Sequence, residues 1–386
     1  MNPIHIFAPV SGPEGYSLVA RDLITHLVEE GIPVHLEEFP NWGPFLVKPT
    51  RRQQDALSYA KSESSNQQFR FCNKAITNLN ICLPIQAKIN PARRNVLYTM
   101  FEVDGIPQTW TKACEELDEV IVPSDFNHWS FAKTIPVGKI STLPIGIDLT
   151  RYNSEIDPLP LQTKQGLDPL QFPIRFLVVC EITNRKNFLG TLHTFFSVAQ
   201  TIGVDKCCLI LKVGNYSKQI SVSEYIRRFK KTLIDDRSIK DLDYTIFLYP
   251  PILSEDIHPN FIKLGTHYLS TSFGEGWDMT AMQAAACGLH LFVPHHSAYQ
   301  CWLTNEVCTL LPVARKNEAF MDPPLARFYE GHYWYAYNFQ SSLQMIVDSF
   351  RYPEIQWKKQ QRMKEHIQTF DWKNLVKDYV KVLHLQ

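Results

Sequence analysis

The sequence has no excess of charge of either sign: 39 Lys and Arg stand against 39 Asp and Glu in 386 residues. Without a cationic excess no whole-chain field gathers phosphate backbones, which argues against a nucleic-acid partner. Long apolar runs are missing too. None approaches the ~18 residues that a membrane-spanning helix needs, so no span is expected. The opening residues, which include Ile4-His5-Ile6-Phe7-Ala8, lack the basic flank and cleavage site of a secretory leader. Cysteine occurs nine times but in no pattern. Cys82, Cys180, Cys207, Cys208 and Cys287 lie in apolar runs, and no spacing fits a zinc site or a disulfide framework. Reduced core thiols and a cytoplasmic location are the expectation. The dinucleotide signature G-x-G-x-x-G is absent from the first strand-to-helix turn, where Gly12-Pro13-Glu14-Gly15-Tyr16-Ser17 stands instead.

What is present is an alternation of short β runs and helical patterns. A chain of 386 residues exceeds one ordinary core, and the alternation occurs twice. Strands are expected at Ile4–Ala8, Pro33–Glu38, Leu79–Leu83, Asn95–Thr99, Glu119–Pro123 and Lys139–Leu143, with helices at Ser17–Glu30, Gln108–Leu117 and Asn127–Lys133. Prolines 158, 160, 169 and 173 then interrupt the pattern. Alternation restarts with Ile174–Cys180, Leu189–Ile202, Cys207–Val213, Val222–Asp235, Tyr244–Leu248, Tyr268–Thr271 and Leu289–Val293. Two helical segments, Tyr335–Phe350 and Trp357–Leu383, close the chain. The pattern specifies an α/β protein with two doubly wound parallel sheets. The expected division is 1–150, a linker at 151–172, a second domain at 173–350, and C-terminal helices at 351–386 packing back toward the first domain.

One stretch carries the most chemistry: Ser272-Phe273-Gly274-Glu275-Gly276-Trp277-Asp278-Met279-Thr280, continuing through Gln283 to Gly288. Two glycines let the backbone turn tightly around an acidic residue. Asp278 is placed to cap a helix over Met279–Cys287, and Gly288 to end it. A helix N-terminus offers unpaired N–H groups and partial positive charge, which suit a diphosphate. Glu275 on the turn can accept from sugar hydroxyls, and Gln283, about one and a quarter turns into the helix, can reach a ribose. The competing reading is a plain strand-to-helix turn packing Met282, Ala285 and Cys287. A second element, Glu181-Ile182-Thr183-Asn184-Arg185-Lys186-Asn187, sets two cations before a helix. They are either diphosphate ligands or a solvated pair. A third runs from Tyr98-Thr99-Met100-Phe101-Glu102 through Pro107 and Trp110 to Val122-Pro123-Ser124-Asp125-Phe126.

Together these motifs resemble the GT-B glycosyltransferases, in particular the retaining GT4-type family. The resemblance implies two Rossmann-like domains facing a cleft and transfer of a sugar from an NDP-sugar to an acceptor hydroxyl, with retention and without a metal. Glu275 stands at the first of the family's two glutamates, whereas the second position holds Gln283. Lys186 falls on the family's conserved lysine, but Glu181 occupies the place of its arginine. The resemblance makes Glu275 and Glu102 catalytic candidates, with Glu102 either binding an acceptor hydroxyl, taking part in proton transfer, or capping the next helix. Donor contacts are assigned to Gly15, Arg185, Lys186, Gly276, Trp277, Asp278, Met279, Thr280 and Gln283. Gly15 is either a phosphate contact through its backbone or a helix entry turn. Pro144-Ile145-Gly146-Ile147-Asp148 resembles a family turn and reads as structural.

The two departures support an alternative, a catalytically degenerate GT-B protein that binds a nucleotide-sugar or a partner without turnover. His295-His296 lacks the third ligand of a metal site, and Asp241-Leu242-Asp243 reads as a solvated turn. The expected partner is a nucleotide-sugar; the acceptor is a glycan, lipid, small molecule or protein. Residues 51–94 hold eight Lys and Arg against two Asp and Glu. They form either a solvated face or a surface for an anionic acceptor or peripheral membrane contact.

Overall fold

The eleven strands read from the sequence, with a twelfth at Thr309–Leu311 that the sequence reading misses, assemble into two six-stranded parallel sheets. The computed structural model describes residues 1–39, 45–62, 77–160, 166–214, 221–249 and 252–386. Part of the basic stretch (63–76) and part of the expected linker (161–165) lie outside the described residues. The chain divides into two units, one of Met1–Arg151, Ile252–Asp256 and Gln368–Gln386, the other of Tyr152–Pro251 and Ile257–Ile367.

In the first unit the elements are β1 (Ile4–Ala8), α1 (Gly15–Glu29), β2 (Val34–Glu38), α2 (Arg51–Ser62), β3 (Thr77–Ile81), β4 (Arg94–Tyr98), α3 (Gln108–Glu115), β5 (Glu119–Val122), α4 (Asp125–Ala132) and β6 (Ile140–Thr142). Sheet order is β2-β1-β3-β4-β5-β6, all parallel. Strands such as Thr77–Ile81 are buried along their whole length, as expected where both faces of a parallel sheet are covered. Helix α2 lies inside the basic stretch. Its charges conceal a buried face of Gln53, Ala56, Leu57 and Ala60. Ion pairs in that stretch join Arg51 with Asp55, Arg52 with Glu29 and Asp148, Lys61 with Glu38, Lys88 with Glu37, and Arg94 with Glu119.

The second unit holds β7 (Ile174–Glu181), α5 (Phe188–Ile202), β8 (Cys207–Gly214), α6 (Val222–Asp235), β9 (Thr245–Tyr249), α7 (His258–Ile262), β10 (His267–Leu269), α8 (Met279–Ala286), β11 (His290–Pro294), α9 (Tyr299–Trp302) and β12 (Thr309–Leu311). Its sheet order is β12-β11-β10-β7-β8-β9. A hairpin follows, β13 (Val313–Glu318) and β14 (Tyr333–Tyr337), with α10 (Ala326–Tyr329) in its loop; α11 (Phe339–Ser349) and α12 (Pro353–His366) come next. Phe176, Phe195, Phe196, Leu209 and Phe292 form the centre of this unit's core.

Two C-terminal expectations are corrected. The helix read from Tyr335 starts only at Phe339, because Tyr333–Tyr337 pairs antiparallel with β13 and Asn338 caps the helix by accepting from the Ser341 N–H. The helix read over Trp357–Leu383 is two helices. After a 3-10 turn at Ile367–Phe370, Asp371 accepts from the Lys373 N–H and starts α13 (Trp372–Val382), which belongs to the first unit. Among the described residues no helix is long and apolar enough to cross a membrane.

The turn at Gly146 is structural. Ile147 N–H donates to the Phe370 carbonyl at 2.8 Å, and Trp372 N–H to the Ile147 carbonyl at 3.1 Å. This brings the Gly146 backbone so close to the indole that an added Cβ would lie 2.3 Å from Trp372 Cδ2. Trp372 is fully buried and has no room to withdraw. Gly146→Ala is therefore expected to destabilise the chain by roughly 3 kcal/mol in denaturant unfolding. An unchanged midpoint would show that the ring moves freely.

Candidate functional site

In the second sheet β7 leads through β8 and β9 toward one edge, whereas β10 leads through β11 and β12 toward the other. The direction of winding reverses between β7 and β10, and loops leaving the carboxyl ends of such a strand pair form the usual ligand crevice of an open α/β sheet. Those loops are 182–187 and 270–278, the two segments whose chemistry stands out in the sequence.

Local geometry ties them together. Asn187 adopts a left-handed conformation (φ 48°) and its Nδ2 donates to the Thr271 carbonyl at 3.0 Å. Phe273 N–H donates to the Arg185 carbonyl at 2.8 Å. With the backbones joined, three charged side chains converge. Arg185 Nη1 donates to the Gly274 carbonyl and to Glu275 Oε2, both at 2.8 Å. Lys186 Nζ donates to Glu275 Oε1 at 2.6 Å. Glu275 is buried, at 4% exposure. Burial pushes its carboxyl up, but Arg185 and Lys186 outweigh that and hold it down at about 2. Burial likewise pulls the Lys186 ammonium down, and Glu275 more than restores it, leaving it raised. The trio thus carries two cations and one anion at neutral pH. It retains a net positive charge, carried by a lysine with three N–H groups and an arginine with five.

Helix α8 begins beside this trio. Asp278 has φ 68° and caps the helix by accepting from the Ala281 N–H at 3.2 Å. Its carboxyl also accepts from Tyr299 Oη at 2.5 Å and Tyr268 Oη at 3.0 Å. Burial, followed by the neighbouring Glu275 charge, raises it. The Asp278 side chain is therefore committed to the interior. Met279 and Thr280, half-buried, are the first helical residues, and among the described residues none accepts from their N–H groups. Gly276 is buried within the turn.

Two further residues assigned to the donor, Trp277 and Gln283, have inward side chains. The Trp277 indole donates to Met282 Sδ at 3.5 Å and stacks 5.8 Å from Trp302, so only its backbone borders the turn. Gln283 is 3% exposed, and its Nε2 donates to Tyr152 Oη at 3.2 Å. Tyr152 Oη in turn lies 3.1 Å from His258 Nδ1. Glu181, exposed at the end of β7, does not join the trio among the bonds described.

Gly15 and Glu102 belong to the first unit. Gly15 opens α1, and a Cβ built there meets nothing within 4 Å, so neither strain nor crowding in the chain requires glycine. Tyr16 Oη lies 2.9 Å from Thr99 Oγ1 and accepts from the Met100 N–H at 3.2 Å, tying the entry to α1 to the loop that bears Glu102. That loop is fixed further by Asn127 Nδ2 on the Phe101 carbonyl (2.5 Å) and Ser130 Oγ on the Val103 carbonyl (3.0 Å).

The structure adds His296 and Ser297, which the sequence reading does not place at the site. Glu275 N–H donates to Ser297 Oγ at 3.1 Å, and the Ala298 N–H donates to the Glu275 carbonyl at 3.2 Å. The signal in the sequence is their position directly after β11, at a strand's carboxyl end. Asp241 lies exposed and pairs with Lys230. Among the described residues no group of three His, Cys, Asp or Glu is placed to hold a metal ion.

No family model matches the sequence, and no curated protein matches it either. Solved structures do. HepE of Anabaena, in complex with UDP and glucose, superposes with a TM-score of 0.65 over 100% of both chains at 12% identity. Sucrose-phosphate synthase of Thermosynechococcus elongatus gives 0.61 over 100% of this chain and 99% of its own, at 14% identity. The N-terminal domain of a Candida albicans trehalose-6-phosphate phosphatase gives 0.63 over 100% and 97%, at 10% identity. The chain has the GT-B fold: two Rossmann-like α/β units with parallel six-stranded sheets.

Proposed function

We propose that the chain transfers a sugar from an NDP-sugar to an acceptor hydroxyl, with retention of configuration and without a metal, as a GT4-like hexosyltransferase. The observation that carries this reading is the Arg185–Lys186–Glu275 trio at the strand switch point, beside the first N–H groups of α8. A diphosphate can meet the positive charge of both cations while Glu275 keeps its place and receives sugar hydroxyls. Catalysis is then positioning of the sugar plus stabilisation of the leaving diphosphate, which itself takes the acceptor proton on the same face. UDP in the HepE structure supports a uridine donor as the first to try. From the resemblance, Gly15 contributes its backbone N–H to the phosphate and Glu102 meets the acceptor hydroxyl.

A cytoplasmic location, with peripheral membrane contact through residues 51–94, belongs to the same proposal. The ion pairs in that region reduce its attraction for anionic lipid, and vesicle co-sedimentation tests what remains.

The test is release of NDP from UDP-, GDP- and ADP-sugars, over a range of acceptors and in excess EDTA. Release that persists in EDTA, with the product anomer matching the donor by NMR, supports the reading. Donors that bind and never turn over favour the degenerate alternative, for which Gln283 and Glu181 speak.

Gln283→Glu separates the two further. The amide at this position is held by Tyr152, and a carboxylate there accepts from the same hydroxyl. Donor affinity is expected to change by no more than about tenfold, near 1.4 kcal/mol, with turnover in both forms. Turnover confined to the Gln283→Glu variant would mark the natural chain as degenerate.

A further inference from the structure

Ser297 has φ 46°, a left-handed conformation that costs a non-glycine residue roughly 1 kcal/mol and calls for a reason. The reason lies in what its hydroxyl joins. On one side Ser297 Oγ accepts the Glu275 N–H. On the other it lies 2.9 Å from Nδ1 of His296, a residue at 1% exposure. His296 Nε2 is 2.8 Å from the Ser272 carbonyl oxygen. A carbonyl can only accept, so Nε2 carries the proton. In the neutral ring Nδ1 is then the acceptor, and the Ser297 hydroxyl donates to it. That direction leaves the Ser297 lone pairs to the Glu275 N–H. All three bonds agree in direction, from Glu275 through Ser297 and His296 to Ser272.

We propose that His296 is a positioning residue for the Glu275 carboxylate, acting through the Ser297 hydroxyl. The assignment rests on the donor-site reading above. Both ends of the link, Ser272 and Glu275, lie on the same loop, so the link sets the loop's curvature at the residue that holds Arg185 and Lys186. The groups facing the ring are Glu275, His295, Tyr299 (6.0 Å between ring centres) and Tyr335, stacked at 5.9 Å and 17°. Burial lowers the imidazole to about 4, so the ring is neutral and the link intact at pH 7.

Three variants test this. Ser297→Ala removes the acceptor of the Glu275 N–H. His296→Gln keeps a donor toward Ser272 and loses the acceptor toward Ser297; His296→Asn keeps that acceptor and loses the donor toward Ser272, cutting the link at its other end. Ser297→Ala and His296→Gln are expected to lower kcat about tenfold, the effect of one lost hydrogen bond, with NDP affinity unchanged within about twofold. Their combination should be no worse than Ser297→Ala alone, because both cut one link. His296→Asn should lower kcat to a similar extent, because the link is then cut at Ser272. Hydrogen exchange of the 272–278 peptide should accelerate in all three variants, whether or not a donor is turned over. Unchanged exchange, unchanged kcat in an active enzyme, or additive losses in the double variant would overturn the assignment. A wild type that never releases NDP would defeat the functional reading, and exchange alone would then decide whether the link orders Glu275.

Discussion

Glu275→Gln is expected to lower turnover by about 100-fold or more, to lower thermal stability, and to regain much of that stability when NDP is added. The loss of turnover follows if Glu275 orients the sugar at the reacting carbon, since interactions realised in the transition state govern kcat. The loss of stability follows from charge. With an amide at position 275, Arg185 and Lys186, at 15% and 21% side-chain exposure, face each other without their shared anion. Their partial exposure keeps the cost below that of a fully buried pair, at roughly 2 kcal/mol. A diphosphate supplies the missing negative charge, so NDP should raise the melting temperature of the variant more than that of wild type. The pH dependence has a definite sign. The carboxyl is depressed to about 2 from an ordinary 4.5, so its contribution is complete above pH 4.5 and fades as pH falls toward 2. The stability gap between wild type and variant should close over that range. Wild-type turnover in Glu275→Gln would remove the residue from the mechanism.

Lys186→Ala is expected to weaken NDP binding by about 30-fold, near 2 kcal/mol, and nucleoside binding far less. Glu275 spends one carboxylate oxygen on Lys186 and the other on Arg185. Removing the lysine leaves a one-to-one pair of Arg185 and Glu275, with no net positive charge for a phosphate to meet. The nucleoside, which brings no charge, should be nearly indifferent. Calorimetry with the two ligands measures the difference, and equal losses would contradict a phosphate role for this cation.

The local grammar of the site is legible in the sequence. Asp278 caps the helix that starts at Met279, and Gly288 follows its end with φ 84°. Each depends on residues a few positions apart. What the sequence conceals is long-range. Arg185 and Lys186 read as phosphate ligands and Glu275 as a sugar ligand, in separate motifs, yet the strand order between β7 and β10 places them in one ion cluster. Gln283 lies at a helical spacing that suggests access to a ribose. Its side is buried, and its partner Tyr152 comes from far along the chain. The β13–β14 hairpin escapes a periodicity reading because the run Tyr333-Trp334-Tyr335-Ala336-Tyr337 carries aromatic residues that suit either period, and its pairing partner lies beyond a loop and a short helix. His296 reads as half of an apparent metal pair. Its neighbour His295 is exposed, and its own role depends on a serine in a left-handed conformation, which no spacing rule exposes.

The most direct test is a crystal structure of the chain with NDP bound. The account predicts diphosphate oxygens within hydrogen-bonding distance of Lys186 Nζ and the Arg185 guanidinium, and facing the N–H groups of Met279 and Thr280, with Glu275 still beside both cations. A nucleotide whose diphosphate lies away from these residues, while Glu275 alone occupies Arg185 and Lys186, would contradict it.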